Sequence, residues 1–531
     1  MRVGVYVGSR SATGWLLIVP QFALGLAGCL LATYLIGLAV HIAAVAPFPY
    51  PIHYEDGPLL NGALALLSGR NLYPDNSAPP YLSSVYPPLH YLPFAGLIAL
   101  FGPNLVPLRL LCLASTLTLT LLIHHWVRWS TGKPVAGLVA ASTLLTFFPV
   151  ANWAAAARAD TLAVLFSLTG AYLVDRYSRG HVLWLAIPLF VLAFFTKQNQ
   201  LAAAAATVLY LLTVAPWRAL RFGTAYAVGI AVPFLLVDLL TGHGLYRHLI
   251  EYNAAQPHWL WRGRQMLKTY LLSYSGYLLI AIGGAASFLM QRRAPFLGIY
   301  LATSLLFTAT VVSDGADFNH YIETAAVTSL LVGITLGNCL SSRLPWLKLV
   351  VASLLVVQVG LRVPSVLPDL YAPWAYVLDV SGRGAGTAEP PLWLGTPNPT
   401  VRESGARLVD TLRATRGPVM MELAGFAALA GHPMELDDPY IFASLSRAKM
   451  WQQQSLLERI SAGEFSILVL LVDVRPAGFR HTRLTDEMVQ AIREAYRLEE
   501  TLEYPALEGP TFYIYRPVAG HTQPIAGMWR N

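Results

Sequence analysis

Glu55 and Asp56 stand side by side in His53-Tyr54-Glu55-Asp56-Gly57-Pro58, just after the first long apolar run and its exit, Pro47-Phe48-Pro49-Tyr50-Pro51. Paired acids beside an apolar stretch are costly to keep without a use. Carboxylates so placed can take a proton or hold a cation. Further polar groups recur where other apolar runs begin or end. These are Arg158 with Asp160, Lys197-Gln198-Asn199-Gln200, a 243–268 stretch holding Arg247, Arg262, Arg264 and Lys268, and 314–323 (DGADFNHYIE). Neither an HExxH zinc pattern nor a Ser/His/Asp arrangement can be picked out.

The elements that must position these groups are membrane helices. The 531 residues are 55% hydrophobic and 12% charged, with a mean hydropathy of +0.51. Soluble domains carry about 25% charged residues, so the chain reads as a polytopic membrane protein. Its net charge of +7 is unevenly placed. Residues 1–363 hold 21 Lys/Arg against 10 Asp/Glu, and the remainder holds 15 against 19. A cationic membrane part with a mildly acidic tail points to lipid headgroups and not to nucleic acid. Cys29, Cys112 and Cys339 all lie in apolar runs, which excludes a disulfide framework or a cysteine metal site.

Arg2 and Arg10 precede an apolar stretch at 15–45, too long for a signal-peptide core of roughly 7–15 residues. It reads as an uncleaved first span with its N-terminus inside. Later runs fall at 106–126, 134–150, 160–175, 182–196, 200–215, 222–241, 269–290, 295–312, 320–340 and 346–363. Several are shorter than the roughly 20 residues of a straight crossing. Residues 88–102 (PLHYLPFAGLIALFG) decide the sidedness of everything after them. If they lie along the surface, the loops at 124–133, 175–181, 216–221, 291–293 and 341–348 face inside, each with two Lys/Arg. Nine of the ten acids of the membrane part then face outside. The positive-inside rule favours this arrangement: 11 spans, a first outside loop at 46–105 with surface helices near 57–69 and 88–101, and an outside tail.

The expected fold class is therefore a polytopic α-helical membrane domain over 1–363, a Pro/Gly-rich linker at 364–399, and a small extracytoplasmic α/β domain over 400–520. Within the tail, helices are expected at 401–415, 440–461 and 484–498, and strands at 418–423, 465–473 and 511–515.

The stretches HYEDGPLLNGALALLSGRNLY, YPPLHYLPFAGLIALFG, PLRLL, ARADTLA, FFTKQNQLA and FNHYIET, spread over residues 50–330, resemble the lipid-dependent glycosyltransferases of the GT-C superfamily. The likeness is to the family-39-type bacterial branch, with its relatives of aminoarabinose and protein mannosyl transferases. In the tail, GHPMELDDPYIF and GEFSILVLL resemble the exported domain of such proteins. The resemblance implies transfer of a sugar from a polyprenyl-phosphate donor to an acceptor (glycan, lipid or protein) on the outer face of a bacterial-type plasma (inner) membrane. A lipid phosphate leaves readily, so the chemistry needs a base for the acceptor hydroxyl and cations for the phosphate. Asp56 aligns with the family's catalytic acid and is the candidate base. Glu55 is the alternative, because the Glu-Asp order departs from the family's single acid or Asp-Glu. A pair that merely solvates a helix start is the bland account. Arg158 and Asp160 are either a structural ion pair or a functional one, in which Asp160 holds a divalent metal (Mg or Mn, with Asp56) or orients the first-loop acid. Lys197 either snorkels or binds the lipid phosphate, with Gln198 as a neighbouring donor. His320 and Glu323, three apart, would share a helix face for sugar or phosphate contact or for capping. Tyr86 and His90 would line the same cavity. Competing readings are a transporter or flippase of lipid-linked saccharide, and a catalytically silent scaffold or assembly subunit. Transporters keep ionisable groups near the midplane and show inverted repeats, and neither is evident here.

Overall fold

A computed structural model describes residues 11–290, 295–367, 392–476, 481–505 and 511–518. Arg2, Arg10, the 291–293 loop and most of the 364–399 linker lie outside the described residues. Among those described, six helices are long and apolar enough to cross a bilayer, or seven if a bent pair is one span. The six are Ile18–Val45, Leu105–Thr131, Pro216–Leu240, Pro295–Val312, Phe318–Ser341 and Pro345–Ser365. The bent pair, Leu260–Ser273 and Ser275–Phe288, turns by 81°. Shorter apolar helices are Pro88–Phe101, Pro134–Leu145, His181–Thr196 and Ala202–Val214. Asp160–Tyr177 adds another helix, whose first residue is acidic.

Helix length follows hydropathy, but one apolar run is interrupted. Ala186–Thr196 gives way to Lys197, and the chain resumes as Ala202–Val214. Broken backbone at such a depth survives only where protein satisfies its polar groups. Here His90 Nδ1 meets the Thr196 carbonyl at 3.2 Å, and Gln198 donates to the Val85 carbonyl at 3.0 Å. Helix Phe318–Ser341 is the most enclosed of the six long ones.

The first loop folds as helix Asp56–Leu67, a 3-10 turn Pro88–His90 and helix Leu92–Phe101. Ten residues span about 15 Å, half of a hydrocarbon core of about 30 Å. Both flanks of this short helix are tied to other segments. His90 lies against Thr196, and Arg109, five residues into Leu105–Thr131, donates to the Phe48 and Tyr50 carbonyls.

The tail is a four-stranded mixed sheet with helices. Strands β1 (Val419–Met421), β2 (Ile467–Leu470), β3 (Tyr496–Glu503) and β4 (Thr511–Pro517) lie in the order β1-β2-β4-β3. The β1/β2 pair is parallel and the others antiparallel. Two expectations are corrected. The helix expected over 440–461 is two, Pro439–Arg447 and Gln454–Ser461, because Lys449 turns left-handed at φ 59°. The helix expected over 484–498 ends at Ala495, and Tyr496 begins a strand that the amphipathic pattern hid.

The tail packs onto the first loop. Residues Val45 to Ile98 of the loop share one apolar cluster with Val401, Phe426, Tyr504 and Phe512. Tyr50 stacks on Phe426 at 6.0 Å, and the Tyr504 hydroxyl donates to the Pro51 carbonyl. At Gly57, a Cβ would stand 2.8 Å from the Gly425 nitrogen, so the two segments meet backbone to backbone.

Candidate active site

Glu55 and Asp56 part company at the helix start. Helix Asp56–Leu67 opens on Asp56, whose side chain is fully buried. Asp56 Oδ2 accepts from the Ile52 and His53 nitrogens at 2.9 and 3.2 Å and pairs with Arg109 Nη2 at 3.0 Å. Arg109 is buried as completely and is spent on the loop's carbonyls. Buried charges persist only when paired and hydrogen-bonded, so this pair fixes the loop on helix Leu105–Thr131. Glu55 points the other way. It is 29% exposed and lines a cleft with Pro58, Leu59, Ser83, Val85, Tyr86, His90, Tyr91, Ala157, Arg158 and Asp438.

From Glu55 a line of charge runs inward. Its Oε1 lies 3.6 Å from Arg158 Nη1, and Arg158 Nε donates to Asp160 Oδ2 at 2.9 Å. Asp160 Oδ1 takes Lys197 Nζ and, at 2.7 Å, the Asn319 amide. Asp160 can reach three elements because it begins its helix while Lys197 and Asn319 sit where two other helices break or begin. Arg158, at 10% exposure, is the member of the line beside the cleft, and Lys197 lies behind Asp160.

Tyr86 and His90 also face the cleft, their rings stacked at 4.1 Å and 15°. Burial lowers the His90 imidazole to about 3, so it stays neutral and offers a hydrogen bond but no charge. Gln198 holds the Val85 carbonyl of the cleft wall. His320 and Glu323 meet different neighbours. His320 lies in a 3-10 turn, Phe318–Tyr321, and meets Thr310 Oγ1 at 2.8 Å and Asn199 at 3.3 Å. Glu323 lies in the following α-helix and takes the Tyr300 hydroxyl at 2.7 Å, facing a different neighbour. Of the cationic stretch, Arg247 pairs with Asp75 and Arg262 caps the Ser313 and Asp314 carbonyls.

The residues do not fit a divalent metal held by Asp56 and Asp160. Both Asp160 oxygens are taken by nitrogen donors, and Asp56 faces Arg109. Among the described residues no three His, Cys, Asp or Glu gather with metal-binding geometry.

Four neighbours of the candidate site escaped the sequence reading. Arg109 and Asn319 lie inside PLRLL and FNHYIET, yet nothing in spacing ties them to acids 53 and 159 residues away. Asp437 and Asp438 come from the tail. Asp437 accepts the Ser83 nitrogen at 2.9 Å, and Asp438 Oδ1 accepts the Tyr54 hydroxyl at 2.8 Å. Burial pushes the Asp437 carboxyl up to about 6. Burial, then the nearby Glu55 charge, pushes Asp438 up to about 7.

A family match falls within this architecture. Residues 85–240, which carry Tyr86, His90, Arg109, Arg158, Asp160 and Lys197, match the model of the dolichyl-phosphate-mannose-protein mannosyltransferase family. The match spans under a third of the chain, whose architecture is that of a polytopic helical membrane protein. Its fold is similar to that of ArnT from Cupriavidus metallidurans. In the apo state the TM-score is 0.54 at 12% identity, and bound to undecaprenyl phosphate it is 0.55 at 14%. Both comparisons cover 97% of this chain and 100% of the other. Comparison with curated proteins finds no match.

Proposed function

We propose that the protein moves a sugar from a polyprenyl-phosphate carrier to an acceptor hydroxyl in this cleft, with Glu55 as the base and Arg158 as the phosphate-holding cation. The carrying observation is that Glu55 Oε1 and Arg158 Nη1 stand 3.6 Å apart on one cleft wall, while Asp56 is buried against Arg109. The carboxylate takes the acceptor proton as the acceptor oxygen bonds to the anomeric carbon. The bond from that carbon to the phosphate oxygen breaks, and its electron pair leaves with the lipid phosphate beside the guanidinium. Asp160, held by Lys197 and Asn319, sets the position of Arg158. Lys197 would act through Asp160. Support for the carrier comes from a family named for dolichyl-phosphate mannose and from the ArnT structure bound to undecaprenyl phosphate. The cleft, the first loop and the tail share one end of the bundle. The basic loops holding Arg128, Lys133, Arg176, Arg179, Arg218 and Arg221 favour placing that end outside, with 11 crossings in all.

The test is transfer by the full-length protein in nanodiscs, from undecaprenyl-phosphate hexoses and pentoses, read by mass spectrometry. Glu55→Gln should lower turnover by about 10²–10⁴-fold while the protein still binds undecaprenyl phosphate. Wild-type turnover by that variant would end the assignment of the base.

A further inference from the structure

We propose that the C-terminal domain completes the active site, with Asp438 positioning the hydroxyl groups of the transferred sugar opposite Glu55. This rests on the reading of the cleft just given.

Asp438 is the tail's contribution to the cleft lining. Its place there is built from both sides. Tyr54, the residue before Glu55, donates its hydroxyl to Asp438 Oδ1 at 2.8 Å and accepts the Tyr440 nitrogen at 3.0 Å. The Arg483 guanidinium lies 4.7 Å from the centre of the same tyrosine ring. Next to Asp438, Asp437 takes the backbone nitrogen of Ser83, itself a cleft residue, at 2.9 Å. The Asp-Asp pair thus clamps the tail to the cleft wall with one carboxylate and presents the other to the opening.

Electrostatics orders the ligand along the cleft. An anionic phosphate is attracted to Arg158, whereas sugar hydroxyls hydrogen-bond to a carboxyl group whether it is ionised or protonated. The sugar of a lipid-linked donor therefore belongs at the Asp438 end, with its phosphate at the Arg158 end. A purely structural account also exists, since Asp438 Oδ1 caps helix Pro439–Arg447 by accepting the Ile441 nitrogen at 3.0 Å. Asn and Ser cap helices about as well as Asp, so Asp438→Asn and Asp438→Ser separate the two roles.

Binding of bare undecaprenyl phosphate and of its hexose- and pentose-bearing forms would be compared in full-length protein. The wild type should prefer its favoured sugar-bearing carrier to the bare one by about tenfold or more. Both Asp438 variants should lose most of that preference, with bare-carrier affinity unchanged and a cooperative melting transition retained. A preference kept by both variants, or none in the wild type across the panel, overturns the proposal. Turnover by Glu55→Gln bears on the base alone and leaves this comparison readable.

Discussion

Arg109 Nη2 holds Asp56 at 3.0 Å, whereas the carboxylate of Glu55, one residue earlier, faces Arg158 Nη1 at 3.6 Å. Neighbouring acids are thus divided between a sealed interior pair and an open cleft. The interior pair joins the first loop to helix Leu105–Thr131, and the cleft pair sits where a substrate can enter.

Removing one partner of the sealed pair should cost stability. Arg109→Met or Asp56→Ala leaves an uncompensated buried charge or orphaned donors, a loss of about 3–5 kcal/mol. Thermal unfolding in detergent should show a clear fall in melting temperature for both, and little change for Glu55→Gln. Equal melting temperatures in all three would contradict the division of labour.

The Asp160–Lys197 contact can be weighed by a double-mutant cycle. Asp160→Asn and Lys197→Met should each lower stability, and the double variant should lose less than the sum, with coupling of about 1–3 kcal/mol. Simple additivity would show that Lys197 does not work through Asp160. Arg158→Met should weaken undecaprenyl phosphate binding more than Lys197→Met, because Arg158 lies beside the cleft.

The acid pair of the tail should make docking pH-dependent. Asp437 and Asp438 rise from 3.8 to about 6 and about 7 on folding, in a setting where burial dominates and Glu55, Tyr54 and Tyr440 surround Asp438. Between about pH 4 and 7 the folded form binds more protons than the unfolded chain. Stability should therefore be greatest below about pH 4 for these groups, fall as pH rises through 6 and 7, and level off above. Asp437→Asn with Asp438→Asn should flatten that slope. A melting temperature that rises over the window equally in wild type and variant would refute the assignment.

Close backbone approach at Gly57 gives a packing test. A methyl there meets the Gly425 nitrogen at 2.8 Å and Ala424 at 3.5 Å. Gly57→Ala should cost about 1–3 kcal/mol through overpacking and loosen the tail from the loop. Faster amide exchange over Gly425–Ala430 would report it, and unchanged exchange would show that the contact yields freely.

The sequence by itself determined the membrane character, the positions of most apolar helices, the polar clusters at their ends and the mixed helix-strand tail. Hydropathy and charge are local properties, and a window of residues carries them whole. Even the pair Glu55-Asp56 and the Arg158/Asp160/Lys197 set were legible as residue types. Only the tertiary structure decided their partners. Which of two adjacent acids is buried depends on the phase of helix Asp56–Leu67 and on Arg109, 53 residues later. Asn319 completes Asp160 across 159 residues, and Asp438 enters the cleft because the C-terminal sheet packs on the loop. Contacts of that range leave no periodicity in the chain. They exist because burying a charge obliges the fold to bring a partner to it, from wherever in the sequence one can reach.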